Sequence, residues 1–263
     1  MKWLYYWLTY GNFWIALGAV GLTFCNSKMI YGCVNNDALL LSFFITLGAY
    51  NFQRILKANQ LNLSDQKHRW LHSNQKMLSF ITIICIVFSC SILISISFKK
   101  LLYFLPFLLV VTFYRLPFFG LSFRNIPGLK IFLISISWGF VTVLIPDLFS
   151  ESFYIPSWKF IITSGFYVLA ITIPFDVRDM VVDDSSKKTI PQIIGIRFAV
   201  CLAIFILLKL SVIFWLFQDQ LEMAWYCIFS AIILIFSFEI RPDWYYSFIL
   251  DGLLVLMPVL FIF

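Results

Sequence analysis

Asp176, Asp179 and Asp183 are the residues of this chain whose types and spacing best suit them to act together. They stand at i, i+3 and i+7, which on a helix puts three carboxylates on one face. Asp184 adds a fourth acid within nine residues, in a chain only 12% charged. Carboxylates gathered this closely repel one another unless a cation sits among them. Mg2+ suits the task, because it takes oxygen ligands and shares its shell with substrate phosphates. The preceding run, Phe160 to Ile173, is apolar, so the acids stand at the end of a membrane helix.

The elements that must position these acids are hydrophobic. Of 263 residues, 62% are hydrophobic and 31 are Phe. A soluble domain of this length could not hide so much apolar surface, which predicts an all-α integral membrane protein. Strand alternation with turn signals is absent, which argues against an outer-membrane barrel. One integral domain over residues 1–263 is the economical reading, with no linker and no clear repeat. Hydropathy draws nine segments at about 12–27, 38–56, 77–97, 99–114, 127–147, 158–178, 194–217, 223–239 and 244–262. Residues 3–11 read as an interfacial helix. The six cysteines form no Cys-x-x-Cys pair and read as packing thiols.

Loop charge sets orientation. Arg54, Lys57, Lys67, Arg69 and Lys76 share one loop; Arg115, Arg124 and Lys130 the next on that side; Arg178, Lys187, Lys188 and Arg197 the third. Asp37, Asp147, Glu151, Asp219 and Glu222 mark the opposite side, where Lys99 and Lys100 are the exception. The positive-inside rule then predicts a cytoplasmic N-terminus. The net charge of +6 reads as topology and phosphate contact, with no nucleic-acid partner.

The stretch Pro174 to Gly195 resembles the second aspartate-rich motif of the UbiA superfamily of intramembrane prenyltransferases. The matching residues are Asp176, Asp179 and Asp183, then Lys188-Thr189-Ile190-Pro191 and Gly195. The resemblance implies a UbiA-like bundle of about nine transmembrane helices. It also implies transfer of a prenyl group from a prenyl diphosphate to a lipophilic, often aromatic, acceptor, with Mg2+ on the three aspartates. The first acidic motif of the family departs here: Asn51 fits, but Phe52, Ile55 and Asn59 stand where the family carries Asp. One Mg2+ ion is therefore expected rather than two.

Asn51, Arg54 and Lys57 read as diphosphate contacts, with positive-inside charges as the plain reading for the two cations. Arg124, Lys130 and Lys188 are read the same way by the resemblance. Asp251 is a carboxylate inside a span, a candidate for function or for a structural bond to a neighbouring helix. His68 and His72, at i and i+4, have metal-ligand spacing without an acidic partner, which favours a place in a lid over a zinc site. Glu239, Arg241 and Asp243 read as a solvated cytoplasmic turn. Two other classes stay open. A non-catalytic polyprenyl-phosphate binder would fit the missing acids, and an ion-coupled transporter would use Asp251. The absence of a targeting extension points to a bacterial inner membrane.

Overall fold

The computed structural model describes residues 2–56, 66–102, 128–150, 158–180 and 189–261, and every regular element among them is helical. A short helix α1 (Lys2–Thr9) leads into α2 (Phe13–Tyr31) and α3 (Asn36–Ile55). Asn12 makes the first junction by taking a left-handed φ of 65°, which Asn tolerates better than most residues. Gly32, at φ 69°, ends α2 by returning its N–H to the Lys28 carbonyl. The Asn35 side chain then caps α3 by accepting from the Asp37 and Ala38 N–H groups.

Next come α4 (Gln66–Ser73), α5 (Gln75–Ile94) and the single turn α6 (Phe98–Leu101). After residue 128 the chain forms α7 (Leu129–Phe149), α8 (Trp158–Asp179), the short α9 (Ile190–Ile194), α10 (Ile196–Phe217) and α11 (Leu221–Ile235). The last helix, α12 (Tyr245–Phe261), opens on a π turn over Tyr245–Leu250 before becoming α-helical at Asp251.

Six of these helices are long and apolar enough to cross a membrane: Phe13–Tyr31, Gln75–Ile94, Leu129–Phe149, Trp158–Asp179, Ile196–Phe217 and Leu221–Phe238. The α3 helix has their length with more polar residues, and α12 is shorter. Each hydropathy segment except the fourth coincides with a helix to within a few residues. The fourth, 99–114, lies mostly outside the described residues. The chain is thus an all-helical multi-pass membrane bundle. Ile83, Ile86, Val87 and Phe88 on α5 and Phe205, Trp215 and Phe217 on α10 are exposed, as faces turned to lipid would be.

Two close crossings bring the ends of the helices together. A Cβ on Gly139 of α7 would run into the Ile161 carbonyl of α8, and one on Gly165 would meet the Ser135 carbonyl oxygen at 3.3 Å. On the other side of the bundle, Gly18 and Gly21 of α2 lie against Leu254 of α12. Small residues let backbones approach this closely in a bilayer, where packing and buried hydrogen bonds must hold helices together. Those bonds are present. Asn26 donates to Thr142 at 3.1 Å and accepts from Ser164 at 3.1 Å, joining α2, α7 and α8. Thr23 and Ser42 share a bond of 2.8 Å, as do Tyr167 and Ser230.

A candidate diphosphate and metal site

One cavity of about 230 Å³ collects most of the described candidate residues. Four helices contribute to it with helical periodicity. Lys130, Ile134 and Trp138 are one stripe of α7, Tyr50 and Arg54 one of α3, and Ser247, Asp251 and Leu254 one of α12. From α8 come Val168, Ile171, Thr172, Phe175, Asp176, Arg178 and Asp179. In each stripe the charged group lies toward one end of the bundle and the apolar groups toward its interior. Val168 sits eight residues before Asp176, roughly 12 Å deeper by helical rise. The cavity therefore has a charged mouth and an apolar floor.

The acids at the mouth are held by cations. Asp176 is buried, at 2% exposure, and accepts from Lys130 Nζ at 3.1 Å. The same ammonium lies 3.7 Å from Asp179 Oδ2. The second oxygen of Asp179 accepts from Arg178 Nε at 2.9 Å. Arg178 also donates from Nη1 to Asp243 at 2.8 Å, and its guanidinium lies 5.3 Å from the Phe175 ring and 5.4 Å from the Tyr246 ring. Arg178 thus ties the end of α8 to the start of α12, and Asp243, although 40% exposed, is joined to the site through Arg178.

The opposite wall is cationic. Arg54 and Lys67 line it. Arg54 Nη1 is cut off from solvent and has no hydrogen-bond partner among the described residues. Burial, with Arg54 nearby, holds the Lys67 amine down to about 8. Asn51 does not line the cavity. It is fully buried and accepts from Asn12 Nδ2 at 2.6 Å, so Asn12 is the residue at the surface and Asn51 stands behind it. Asp251 lines the cavity; what is fixed there is the backbone, since Trp14 donates from Nε1 to the Phe248 carbonyl at 3.0 Å and its ring stacks on Phe248.

The structure therefore brings together Asp176, Asp179, Lys130, Arg54 and Asp251. Asp183, Lys57, Arg124 and Lys188 lie outside the described residues. Sequence reasoning passed over Lys67, Arg178 and Asn12. Arg178 had a signal, since an Arg beside a motif carboxylate inside a helix end is placed to orient it. Lys67 and Asn12 had none beyond loop position.

The donor set can be tested for Mg2+. Asp176 and Asp179 each present an oxygen to one point, now filled by an ammonium, so a cation already belongs between them. Two carboxylates completed by waters and phosphate oxygens make a set that Mg2+ accepts. No group of three His, Cys, Asp or Glu side chains gathers among the described residues, and His68 and His72 belong to none. Among the described residues, Asp251 is the one carboxylate lining the cavity beside Arg54 and Lys67, and these two cations already answer it, which leaves no acidic pair there for a second ion. The described residues fit one ion.

An all-helical membrane bundle with a charged-mouthed, apolar-floored cavity is the class of protein that fold and site define. Its architecture is that of solved UbiA homologues from Archaeoglobus fulgidus. One aligns with a TM-score of 0.61 at 13% identity, covering 97% of this chain and 98% of that one. A second, bound to DMAPP and Mg2+, aligns at 0.60 and 14% identity over 97% of each chain. A third, bound to Cd2+, aligns at 0.60 and 12% identity over 96% and 99%. No family model and no curated protein matches the sequence. The chain has the UbiA fold.

Proposed function

We propose that this protein is a Mg2+-dependent membrane prenyltransferase, moving a prenyl group from a prenyl diphosphate to a lipophilic acceptor. The observation that carries this reading is the convergence of Asp176 and Asp179 on one cation position at the mouth of an apolar cavity. A solved UbiA homologue of the same fold is bound to DMAPP and Mg2+, which supports it. Asp176 and Asp179, with Asp183, hold one ion. That ion supplies Lewis-acid neutralisation of the charge on the departing diphosphate. Lys130 sits between the two carboxylates and turns to phosphate oxygens when they arrive; Lys57, Arg124 and Lys188, outside the described residues, are proposed as further diphosphate contacts on the motif resemblance. Asn12, held by Asn51, offers an amide to the same group.

The isoprenoid tail lies along Ile134, Trp138, Val168 and Ile171. There the apolar floor excludes water, and the Trp138 ring faces the developing allylic cation. An aromatic acceptor fits this lining. The charged mouth opens to the cytoplasm of a bacterial inner membrane, as the basic loops indicate.

The test is pyrophosphate release from dimethylallyl, geranyl, farnesyl and geranylgeranyl diphosphates by the purified protein, with membrane lipid extract as acceptor source. Mg2+-dependent release, lost in Asp179→Asn, is the expected result; no release with any donor would defeat the reading. The cationic wall favours one competitor, a binder of polyprenyl phosphates without turnover. Saturable binding of those lipids with no product in the same assay would select it. Uptake into proteoliposomes lost in Asp251→Asn would select the transporter reading instead.

A further inference from the structure

Asp176 and Asp179 are answered by Lys130 and Arg178, while Arg54 and Lys67 bring two further cations to the same cavity. A guanidinium N–H sealed from water without an acceptor is costly, yet Arg54 Nη1 is so placed beside the cavity. Such a donor is suited to an acceptor brought in by a ligand. Lys67 joins it from α4, a separate element, so two cations from different parts of the chain face one space. Asp251 is a counter-charge close enough to act electrostatically on Arg178, Lys67 and Arg54. The π turn that precedes it, anchored by Trp14 on the Phe248 carbonyl, places Ser247 and Asp251 on the cavity together. Arg54 and Lys67 thus line the cavity on either side of the chain's α3–α4 segment, with Asp251 as the carboxylate beside them among the described lining residues.

We propose that Arg54 and Lys67 grip one phosphate of the diphosphate directly, so that this half of the site binds anions without any metal ion. Arginine matches phosphate oxygens with a fixed fork of N–H donors, and lysine adds a point charge. The inference rests on the reading of the cavity as a diphosphate site, and it narrows the metal's part to the Asp176 and Asp179 side.

The test is equilibrium binding of labelled inorganic pyrophosphate to the purified full chain in detergent, first with EDTA and then with Mg2+. Saturable binding in EDTA is expected, weakened about ten- to a hundredfold in Arg54→Gln and in Lys67→Gln, with Arg54→Lys intermediate. Asp176→Asn should lose the gain that Mg2+ brings. Absent binding in EDTA, or binding equal in wild type and both Gln variants, overturns the proposal. Should Arg54→Gln fail to fold, as read by thermal unfolding, Lys67→Gln decides on the same terms. Metal-dependent turnover without EDTA binding would sink this inference and leave the transferase reading. EDTA binding without turnover would do the reverse.

Discussion

Lys130 Nζ stands 3.1 Å from Asp176 Oδ1, joining the first turn of α7 to the last turn of α8. The carboxylate is almost fully buried and the ammonium is one-quarter exposed. Removing the lysine takes this cation away from a buried acid. Lys130→Ala should therefore destabilise the protein by about 3 kcal/mol, the scale on which buried pairs respond to loss of one partner. Mg2+ should recover more stability in Lys130→Ala than in wild type, because the metal replaces the missing cation. Thermal unfolding in detergent, with and without Mg2+, reads both effects. An equal response to Mg2+ in the two proteins would count against a metal position between Asp176 and Asp179.

Arg178 bridges Asp179 and Asp243 and lies over two rings. Lysine keeps the charge but loses the fork and the stacking. Arg178→Lys should lower turnover about tenfold with a smaller change in substrate affinity, since Asp179 remains present but loses its orientation. Asp243→Asn should cost under about 1 kcal/mol of stability, because the Asp243 side chain is 40% exposed and the pair is screened by solvent. Initial rates and unfolding midpoints of the two variants separate these effects.

The Gly139 crossing decides whether Lys130 reaches Asp176. Gly139→Leu would force α7 away from α8 at Ile161, and overpacking of this kind costs roughly 1–3 kcal/mol. Activity should fall with stability, although residue 139 lies two turns from the charged mouth. A Gly139→Leu protein as stable as wild type would mean the two helices do not meet as described.

Lys67 titrates near pH 8, below the usual lysine range, because burial and Arg54 disfavour its charge. It is charged below that value and neutral above it, among Arg54, Arg178, Asp179 and Asp243. Metal-free pyrophosphate binding should thus weaken as pH rises through about 8 or somewhat higher, since a bound anion raises the amine's affinity for its proton. Lys67→Arg should flatten this profile. Binding measured from pH 6 to pH 10 is the check.

Periodicity and charge made much of this protein readable in one dimension. Lipid solvation forces long apolar helices, so hydropathy alone located α2, α5, α7, α8, α10, α11 and α12 to within a few residues. The spacing of Asp176 and Asp179 on one helix face was readable for the same reason, because residues three and four apart are neighbours whatever surrounds them. Partners across helices were not readable. Lys130 looked like any basic loop residue until the Gly139 crossing set it against Asp176. Lys67 looked like an orientation charge until α4 placed it opposite the acids. Asn51 matched a motif, yet the left-handed turn at Asn12 put a second amide between it and the cavity. Asp251 was visible as a charge in a span, but its place on the cavity follows from the π turn and the Trp14 bond, which no pattern announced. A chain in a membrane fixes its helices locally, through backbone hydrogen bonds and apolar length. Which charge meets which depends on where small residues let two helices touch, and that is decided only when the bundle closes.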